Sequence, residues 1–375
     1  MTKTFAVVAA LGLASAVCVC ACDEDKKSEG TTPIATAAAP ASVAAPVVPK
    51  ETPAELQAKT MKALVEAWNG HDAAKVGALY EGSAKLVLPG LPDFVGRDAI
   101  VAEAKQTMIS YPDFKLAITK SYGHGSTVAL QWVITGKNDG PMMGGQKASG
   151  RSMGVMGASV ITFDDDGLMK ADHRYVDLPT ISSQLDAKAK AGTFRAVATL
   201  PTGATEEHES NGTPDEAKAL DVAKAFYTAF EGKKAPDLTA LLAEKVTGDD
   251  YTSPATVTGP KAMTDAAGGY WKSFPDLAQT KPVQFAAGDV VVTEGVLTGT
   301  QKGALGPIKA TNKPVSLRFV DFAQVKDGKV ASFATYADSA ELLIEIGAMP
   351  PMGPPPAGAA SGVASAAPAA PAKPK

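Results

Sequence analysis

Apolar residues recur at helical spacing at the start of two separate segments of the chain. In residues 53–72 the apolar positions are Leu56, Met61, Leu64, Val65 and Trp68. Residues 214–232 show the same spacing, and each pattern stops at a glycine, Gly70 or Gly232. Because this spacing places the apolar side chains on one face of a helix, each segment predicts an amphipathic helix.

The pattern after each amphipathic helix predicts two more helices and then three strands. In the first half the helices are AAKVGALYE and RDAIVAEAKQTMISY, and the strands are TVALQWVITG, MGVMGASVITFD and MKADHRYVD. The second half repeats the order, ending in the strands VVVTEGVLTG, VSLRFVDFAQVK and KVASFATYAD. Helices followed by strands joined at glycine turns predict an α+β fold, with helices packed on a curved, mostly antiparallel sheet.

The two halves also repeat each other in sequence. YPDF at 111–114 matches FPDL at 274–277, and GRDAI at 96–100 matches GPKAM at 259–263 in the same register. The closing strands match after a shift of two residues. Because the repeat is far longer than a solenoid unit, it predicts two tandem domains. The Pro-Asp motif predicts a turn from helix to sheet, with Asp113 and Asp276 bonding the next backbone N–H groups.

Composition sets the outer boundaries. Alanine and proline crowd both ends of the chain, where no periodicity is present, so both ends are predicted to be disordered. The predicted organisation is a signal peptide at 1–21, a tether at 22–52, the first domain at 53–190, a linker at 191–213, the second domain at 214–348 and a tail at 349–375.

The N-terminus predicts export. Lys3 precedes an apolar run that ends in VCAC at Cys22 and is followed by acidic residues. VCAC resembles a bacterial lipobox, which implies cleavage before Cys22, acylation of its sulfur and lipid anchoring in the cell envelope, facing the periplasm or the surface. An uncleaved N-terminal membrane helix is the alternative. The three cysteines all lie in this segment, so cysteine chemistry is not expected in the folded part.

Charge and histidine content exclude several classes of function. The formal net charge is −4 and no long basic run is present, so nucleic acid is not an expected partner. The four histidines show no ligand spacing, so neither a metal nor an organic cofactor is expected. A glycine-rich hairpin carries Met142, Met143, Met153 and Met156. We interpret these methionines as a pliable apolar rim, with copper binding as the alternative.

Several motifs together resemble a known family. NGHDAAKVGALY, GRDAI, YPDF, QWVITGK, ASGR, DDDG and HRYVDL are similar to the SnoaL-like polyketide cyclase family of the nuclear transport factor 2-like superfamily. The resemblance covers about residues 54–187 and, more weakly, 214–347. It implies two cone-shaped α+β domains, each with an apolar cup. The superfamily includes cyclases, isomerases, hydrolases and binding modules, so the resemblance does not select an activity.

The resemblance also implies candidate residues in the closing strand. In the family's cyclases an acidic residue of this strand is associated with proton transfer, and the matching positions are Asp177 and Asp338. Alternation places His173, Tyr175 and Asp177 on one face of the strand. If this face lines the cup, Asp177 is a candidate general acid or base, with His173 acting through the ligand. The alternative is that each aspartate caps the helix that follows it.

The remaining candidates are ligand-binding positions. Gln131 and Glu294 are equivalent polar residues in the middle of a strand, and Tyr175 and Tyr336 are equivalent in the closing strands. Asp338 joins this set, and Asp321 is a further acidic residue on a strand of the second half.

Three functions remain open at this point. The leading prediction is non-catalytic or weakly catalytic binding of a small hydrophobic molecule. A cofactor-independent cyclase, isomerase or hydrolase using Asp177 is the second. The third is a scaffold whose domains pair within the chain or in a homodimer.

Overall fold

The computed structural model of the chain describes residues 51–142 and 145–352. The predicted signal peptide with Cys22, nearly all of the predicted tether, Met143 and the tail from residue 353 lie outside the described residues.

The first half alternates helices and strands in the order predicted, with additional strands. Its elements are α1 (Pro53–Asn69), α2 (Ala73–Ala78), β1 (Tyr80–Val87), β2 (Phe94–Val95), α3 (Arg97–Ser110), β3 (Lys115–His124), β4 (Thr127–Lys137), β5 (Ser152–Phe163), β6 (Met169–Tyr175), α4 (Leu178–Leu185) and β7 (Glu206–Glu209).

The second half repeats this order. Its elements are α5 (Pro214–Glu231), α6 (Ala235–Ala240), β8 (Leu242–Asp250), β9 (Val257–Thr258), α7 (Pro260–Ser273), β10 (Ala278–Ala287), β11 (Val290–Thr300), β12 (Pro314–Lys326), β13 (Lys329–Ala337) and α8 (Ser339–Glu345).

The first helix of each half begins at the same local signal. Thr52 and Thr213 are N-caps, and each forms a capping box with the glutamate three residues later. The box satisfies backbone N–H groups that the first helical turn leaves without partners. The matching caps explain why α1 and α5 start at equivalent positions.

Each half folds into one mixed sheet with the same strand order. The first sheet runs β2-β1-β6-β5-β4-β3-β7 and the second runs β10-β11-β12-β13-β8-β9. The parallel pairs are β1 with β6, β3 with β7, and β8 with β13; the other pairs are antiparallel. Strand β7 lies within the predicted linker and extends the first sheet at the edge of β3.

The Pro-Asp turns lie where the sequence predicts them, but the aspartates bond a different partner. Asp113 accepts a hydrogen bond from the backbone N–H of Lys137 at 2.6 Å, and Asp276 accepts one from Thr300 at 2.7 Å. Both donors lie at the ends of distant strands, β4 and β11. The predicted bond to the next residues is therefore wrong, because each turn folds back against the sheet and meets a strand end.

Apolar residues form separate layers on the two faces of the sheets. One face of each sheet packs under its own helices, and both of these layers form cores. The opposite faces of the two sheets pack against each other. In the described part of the chain, no helix is both long and apolar enough to cross a membrane.

Candidate functional site

The first domain encloses the larger cavity, which we call the first cup. It has a volume of about 620 Å³ and lies between helices α1 and α3 and the sheet. This volume falls within the range of small-molecule sites, about 300–1,000 Å³. Most of the wall is apolar, including Leu64, Trp68, Phe114, Trp132, Ile134 and Met153.

A buried group of charged residues interrupts this apolar wall. Asp172 and Arg174 are two positions apart on β6, so both side chains lie on the same face of the strand, the one that lines the cup. Glu103 faces them from α3. The Arg174 guanidinium donates to Asp172 at 2.9 Å and lies 3.6 Å from the Glu103 carboxylate. Tyr80 donates to Asp172 at 2.8 Å. We call Tyr80, Glu103, Asp172 and Arg174 the ionic cluster.

The ionic cluster keeps two carboxylate oxygens free of hydrogen bonds. Glu103 Oε2 and Asp172 Oδ1 are buried, and neither has a hydrogen-bond partner among the described residues, although Glu103 Oε2 forms the 3.6 Å ion pair with Arg174. Burial raises the pKa of Glu103, although the charge of Arg174 and a hydrogen bond from Thr107 oppose this rise. The cup therefore offers acceptor oxygens to a ligand, and one of them belongs to a carboxyl group with a raised pKa.

The predicted catalytic face does not line the first cup. His173 and Tyr175 lie on the other side of β6 from Asp172 and Arg174, as strand alternation requires, and both contact Glu294 of the second domain. Asp177 lies two residues beyond the end of β6 and contacts Ser339 of the second domain. The assumption that they line the cup is therefore wrong: Asp172 and Arg174 occupy the cup side of this strand. The cup is closed by the helices, which cover only one face of the sheet.

The predicted ligand-binding residues instead contact each other across the paired sheets. Glu294 Oε1 accepts a hydrogen bond from the Tyr175 hydroxyl at 2.7 Å and lies 2.7 Å from His173 Nδ1. The equivalent contact on the other side joins Gln131 Nε2 to the Tyr336 hydroxyl at 3.1 Å. The contacts are pseudo-symmetric, since Gln131 matches Glu294 and Tyr175 matches Tyr336.

Asp177 and Asp338 are helix caps that also reach across the domains. Asp177 caps α4 by accepting from Thr180, and its other oxygen accepts from the backbone N–H of Ser339 at 2.9 Å. Asp338 caps α8, and the same oxygen accepts from the backbone N–H of Leu178 at 3.2 Å. Each aspartate thus caps its own helix, through Thr180 or Ala340, and also binds the first residue of the other domain's helix, Ser339 or Leu178. This matches the capping alternative and adds a contact between the domains.

An apolar layer surrounds these polar contacts. From the first sheet it contains Tyr122, Ala129, Ala158, Val160 and Tyr175, and from the second Phe285, Val290, Val292, Val320, Phe322 and Tyr336. We call this layer, with its polar contacts, the paired face. The apolar residues of this layer pack against each other across the two sheets.

Only part of the predicted methionine rim lies at the cup. Met142 and Met153 line the first cup, whereas Met156 packs against the paired face. The first residues of the predicted tail, Met349–Met352, also line the cup. Among the residues that the structure describes, no group of three or more potential ligands is placed to hold a metal ion.

The second domain has a smaller cavity, which we call the second cup. Its volume is about 230 Å³, below the usual range of ligand sites, and Asp321 lies in its wall. Burial raises the pKa of Asp321 to about 7. The sequence identified this residue as a candidate, but the ionic cluster of the first cup was missed. The signal available for that cluster was the pair of opposite charges at Asp172 and Arg174, two positions apart on one strand.

Comparison with known proteins agrees with this architecture. Residues 220–346 match the family model described as SnoaL-like polyketide cyclase, and residues 61–171 match the model described as SnoaL-like domain. Together the two matches cover more than half of the chain. No curated protein matches the chain at a significant level.

Solved structures similar to the chain each align with little more than a third of it. A protein from Jannaschia described as a SnoaL-like polyketide cyclase is 18% identical, with 37% of this chain and 97% of that chain covered and a TM-score of 0.35. TsrD from Streptomyces laurentii is 23% identical, with 36% and 100% covered and a TM-score of 0.34. An NTF2-like protein from Burkholderia xenovorans is 21% identical, with 35% and 97% covered and a TM-score of 0.31.

The two family matches fall on the two halves that the fold repeats, one on each. The chain therefore belongs to the SnoaL-like family and carries two of its domains in tandem.

Proposed function

We propose that the first domain binds a small, largely apolar molecule that carries a hydrogen-bond donor. The observation that carries this proposal is a pair of buried carboxylate oxygens without hydrogen bonds inside an otherwise apolar cavity: Asp172 Oδ1, and Glu103 Oε2, whose contact with Arg174 is an ion pair at 3.6 Å. The apolar wall favours a hydrophobic body, since each Å² of apolar surface removed from water is worth about 25 cal/mol.

The ionic cluster selects the polar group of the ligand. A buried acceptor without a partner costs about 1–3 kcal/mol, and a hydroxyl or N–H donor from a ligand recovers this cost. A ligand carboxylate is disfavoured, because it meets two carboxyl groups and a guanidinium that already contacts both of them. We therefore expect an alcohol, a phenol or an N–H compound.

The open volume also bears on the scaffold alternative. A purely structural pair of domains has no need for an open cavity, and side chains are expected to fill its cups. A cavity of about 620 Å³ in the first domain favours binding over this role.

Native mass spectrometry on the full chain from its own host tests the proposal. We expect a bound molecule on the unmodified protein and its loss from Glu103→Gln, because glutamine replaces one acceptor oxygen with an amide. Glu294→Gln is the matched control, since it makes the same chemical change at the paired face. Empty protein, or equal loss from both variants, contradicts the proposal.

A second candidate is general acid–base catalysis in the first cup. It is favoured by burial, which raises the pKa of Glu103, and by the position of this carboxyl group in the cavity wall, where a ligand can exchange a proton with it. The same spectra test it. If Glu103→Gln retains a ligand whose mass differs from that of the compound released by the unmodified protein, the cup converts its ligand and Glu103 takes part.

We also propose that the chain is exported and anchored in the cell envelope through a lipid on Cys22. The sequence pattern around Cys22 supports this, and the segment lies outside the described residues. Labelled palmitate should enter the protein and fail to enter Cys22→Ser. A chain that retains residues 1–21 at its full mass would instead support the uncleaved membrane helix.

A further inference from the structure

The second cup differs from the first in the charge of its wall. Three carboxyl groups line it, those of Asp249, Asp250 and Asp321. Within residues 51–142 and 145–352, no lysine, arginine or histidine lines the cavity. The second cup therefore has acidic side chains and no cation of its own.

Two of the three carboxylates already have partners. Asp249 accepts from Arg195 at 3.0 Å, and that guanidinium lies outside the cavity wall. Asp250 accepts from the backbone and hydroxyl of Thr252, from Ser253, and from the Tyr270 hydroxyl at 3.0 Å. Both carboxylates therefore accept hydrogen bonds from the protein itself and do not need a ligand as donor.

Asp321, in contrast, has an acceptor oxygen without a hydrogen bond. One of its oxygens accepts a hydrogen bond from the Tyr227 hydroxyl. The other, Oδ1, is buried and has no hydrogen-bond partner in the part of the chain that the structure describes. The residue is only 4% exposed, so water is not freely available to this oxygen. A buried, half-satisfied carboxyl group in a cavity wall is a site for a positively charged or donor group.

Aromatic rings make up much of the remaining wall. The rings belong to Phe226, Tyr227, Phe230, Tyr270, Phe319 and Phe333. The faces of aromatic rings attract cations, and several rings around a small cavity form the type of cage that binds alkylammonium groups.

The first domain shows where a cation fits in this fold. Ser159 pairs with Arg174 between β5 and β6, and at the equivalent ladder position Asp321 pairs with Thr335 between β12 and β13. The first cup therefore carries a guanidinium beside a serine, whereas the second carries a carboxyl group beside a threonine. The first domain supplies a cation to its cup from its own sequence, Arg174, whereas the second domain has Thr335 at this position.

From this exchange of charge we propose that the second cup binds a small organic cation, a protonated amine or a quaternary ammonium group, with Asp321 as its counter-ion. The aromatic rings contact the alkyl groups of the cation, and the volume of about 230 Å³ limits the ligand to a small one. This site is separate from the ligand proposed for the first cup and does not depend on it.

Binding is expected to strengthen with rising pH. Burial raises the pKa of Asp321 to about 7, and only its ionised form attracts a cation. The other titratable groups facing the cavity are Asp249 and Asp250 from β8, Tyr227 from α5 and Tyr270 from α7. Their negative or neutral forms do not repel a cation. Affinity for a quaternary ammonium ion, which does not titrate, should therefore rise between pH 6 and pH 8.

Calorimetric titration of the full chain with choline at pH 8 tests the proposal. The neutral compound 3,3-dimethylbutan-1-ol has nearly the same shape and serves as the matched ligand. We expect choline to bind at least tenfold more tightly than the alcohol. Equal affinity for the two, or no heat from choline or tetramethylammonium at millimolar concentration, overturns the proposal.

Variants then assign the binding to Asp321. Asp321→Asn keeps the size of the side chain and should weaken choline binding at least tenfold, while Asp289→Asn, which changes a half-buried acid of the same domain outside the cavity wall, should leave it unchanged. Phe333→Leu removes one ring and should weaken binding several-fold, which provides a second measurement if Asp321→Asn fails to fold. Unchanged affinity in both Asp321→Asn and Phe333→Leu contradicts the assignment.

Discussion

Three residues of the ionic cluster line the first cup and the fourth, Tyr80, donates a hydrogen bond to one of them, whereas the second cup has an uncharged residue at each of the four equivalent positions. Tyr80, Glu103, Asp172 and Arg174 correspond in ladder or helix position to Leu242, Ala266, Phe333 and Thr335. All four replacements line the second cup. The two domains have the same strand order and carry different chemistry in the same place.

The paired face behaves in the opposite way. Its polar positions are alike in both domains: an aspartate that caps two helices, a tyrosine in the closing strand, and a glutamine or glutamate opposite it. Most of these contacts have a pseudo-symmetric copy, which requires matching residues in the two domains; the contact between His173 and Glu294 is an exception, because Ala334 occupies the position equivalent to His173. The interiors of the cups have no such requirement, and their polar residues differ.

The largest expected effect comes from removing the cation of the first cup. Arg174→Met leaves Asp172 and Glu103 as buried carboxylates without a counter-charge, which should lower the free energy of unfolding by about 3–5 kcal/mol. Thr335→Val changes the equivalent position of the second domain, where no buried ion pair exists in the described residues, and should cost less than about 1 kcal/mol. Urea unfolding at pH 8 measures both.

A further variant separates charge from packing. Adding Glu103→Gln and Asp172→Asn to Arg174→Met removes the unpaired charges and should recover a large part of the lost stability. If the Arg174→Met chain is as stable as the Thr335→Val chain, the ionic cluster does not depend on its guanidinium and the contrast between the two cups is much weaker than proposed.

Strand alternation predicted the two faces of β6 from sequence but not which face lines the cup. His173, Tyr175 and Asp177 alternate correctly with Asp172 and Arg174, and both sets contain groups suited to catalysis. The choice depends on which side the helices cover, and that is a long-range property of the fold. Internal pairing of the sheets then buried a face that contains His173, Tyr175 and Asp177.

The helices were better predicted than the strands. Helical spacing and glycine stops, as in α1 and α5, are local signals, and α1, α3, α5 and α7 lie where the sequence predicts them. Strands β1 and β3 were not predicted, because the first contains glycine, serine and lysine and the second is half-buried with no clear alternation. Their pairing partners, rather than their own residues, determine that they are strands.

The two capping aspartates provide a sharper comparison within the paired face. Asp177 uses both oxygens, one for Thr180 and one for Ser339, whereas Asp338 accepts with Oδ1 only and leaves Oδ2 without a partner among the described residues. An asparagine at 338 can place its amide N–H₂ at the unused position. In Asp177→Asn the amide N–H₂ must instead face the donors of Thr180 or those of Ser339, because both carboxylate oxygens of Asp177 accept hydrogen bonds.

Asp177→Asn should therefore cost about 1–3 kcal/mol, the penalty of buried donors left without acceptors, and Asp338→Asn should be close to neutral. Thermal and urea unfolding at one pH compare the two variants directly. Equal losses would mean that the two caps are used alike, and that the asymmetry in hydrogen bonding has no energetic consequence.

The smallest expected effect concerns the contact between His173 and Glu294 in the paired face, because the equivalent contact on the other side carries no charge. The hydrogen bond to Glu294 raises the pKa of His173, while the equivalent pair, Gln131 and Tyr336, is neutral. Glu294→Gln makes the two sides alike and should return the pKa of His173 towards about 6.5. NMR titration measures this, with His173→Gln used to identify the resonance.

The sign of the matching stability effect follows from the raised pKa. The folded state holds the proton of His173 more tightly, so the stabilisation is fully present below about pH 6.5 and is lost as the pH rises through the folded pKa. The His173 side chain is 39% exposed, so screening limits the effect to less than about 1 kcal/mol. Glu294→Gln should therefore flatten the fall in stability above pH 6.5. If the stability of the variant falls by the same amount above pH 6.5, another group causes the pH dependence. The contact between His173 and Glu294 would then not make the two sides of the paired face differ in charge.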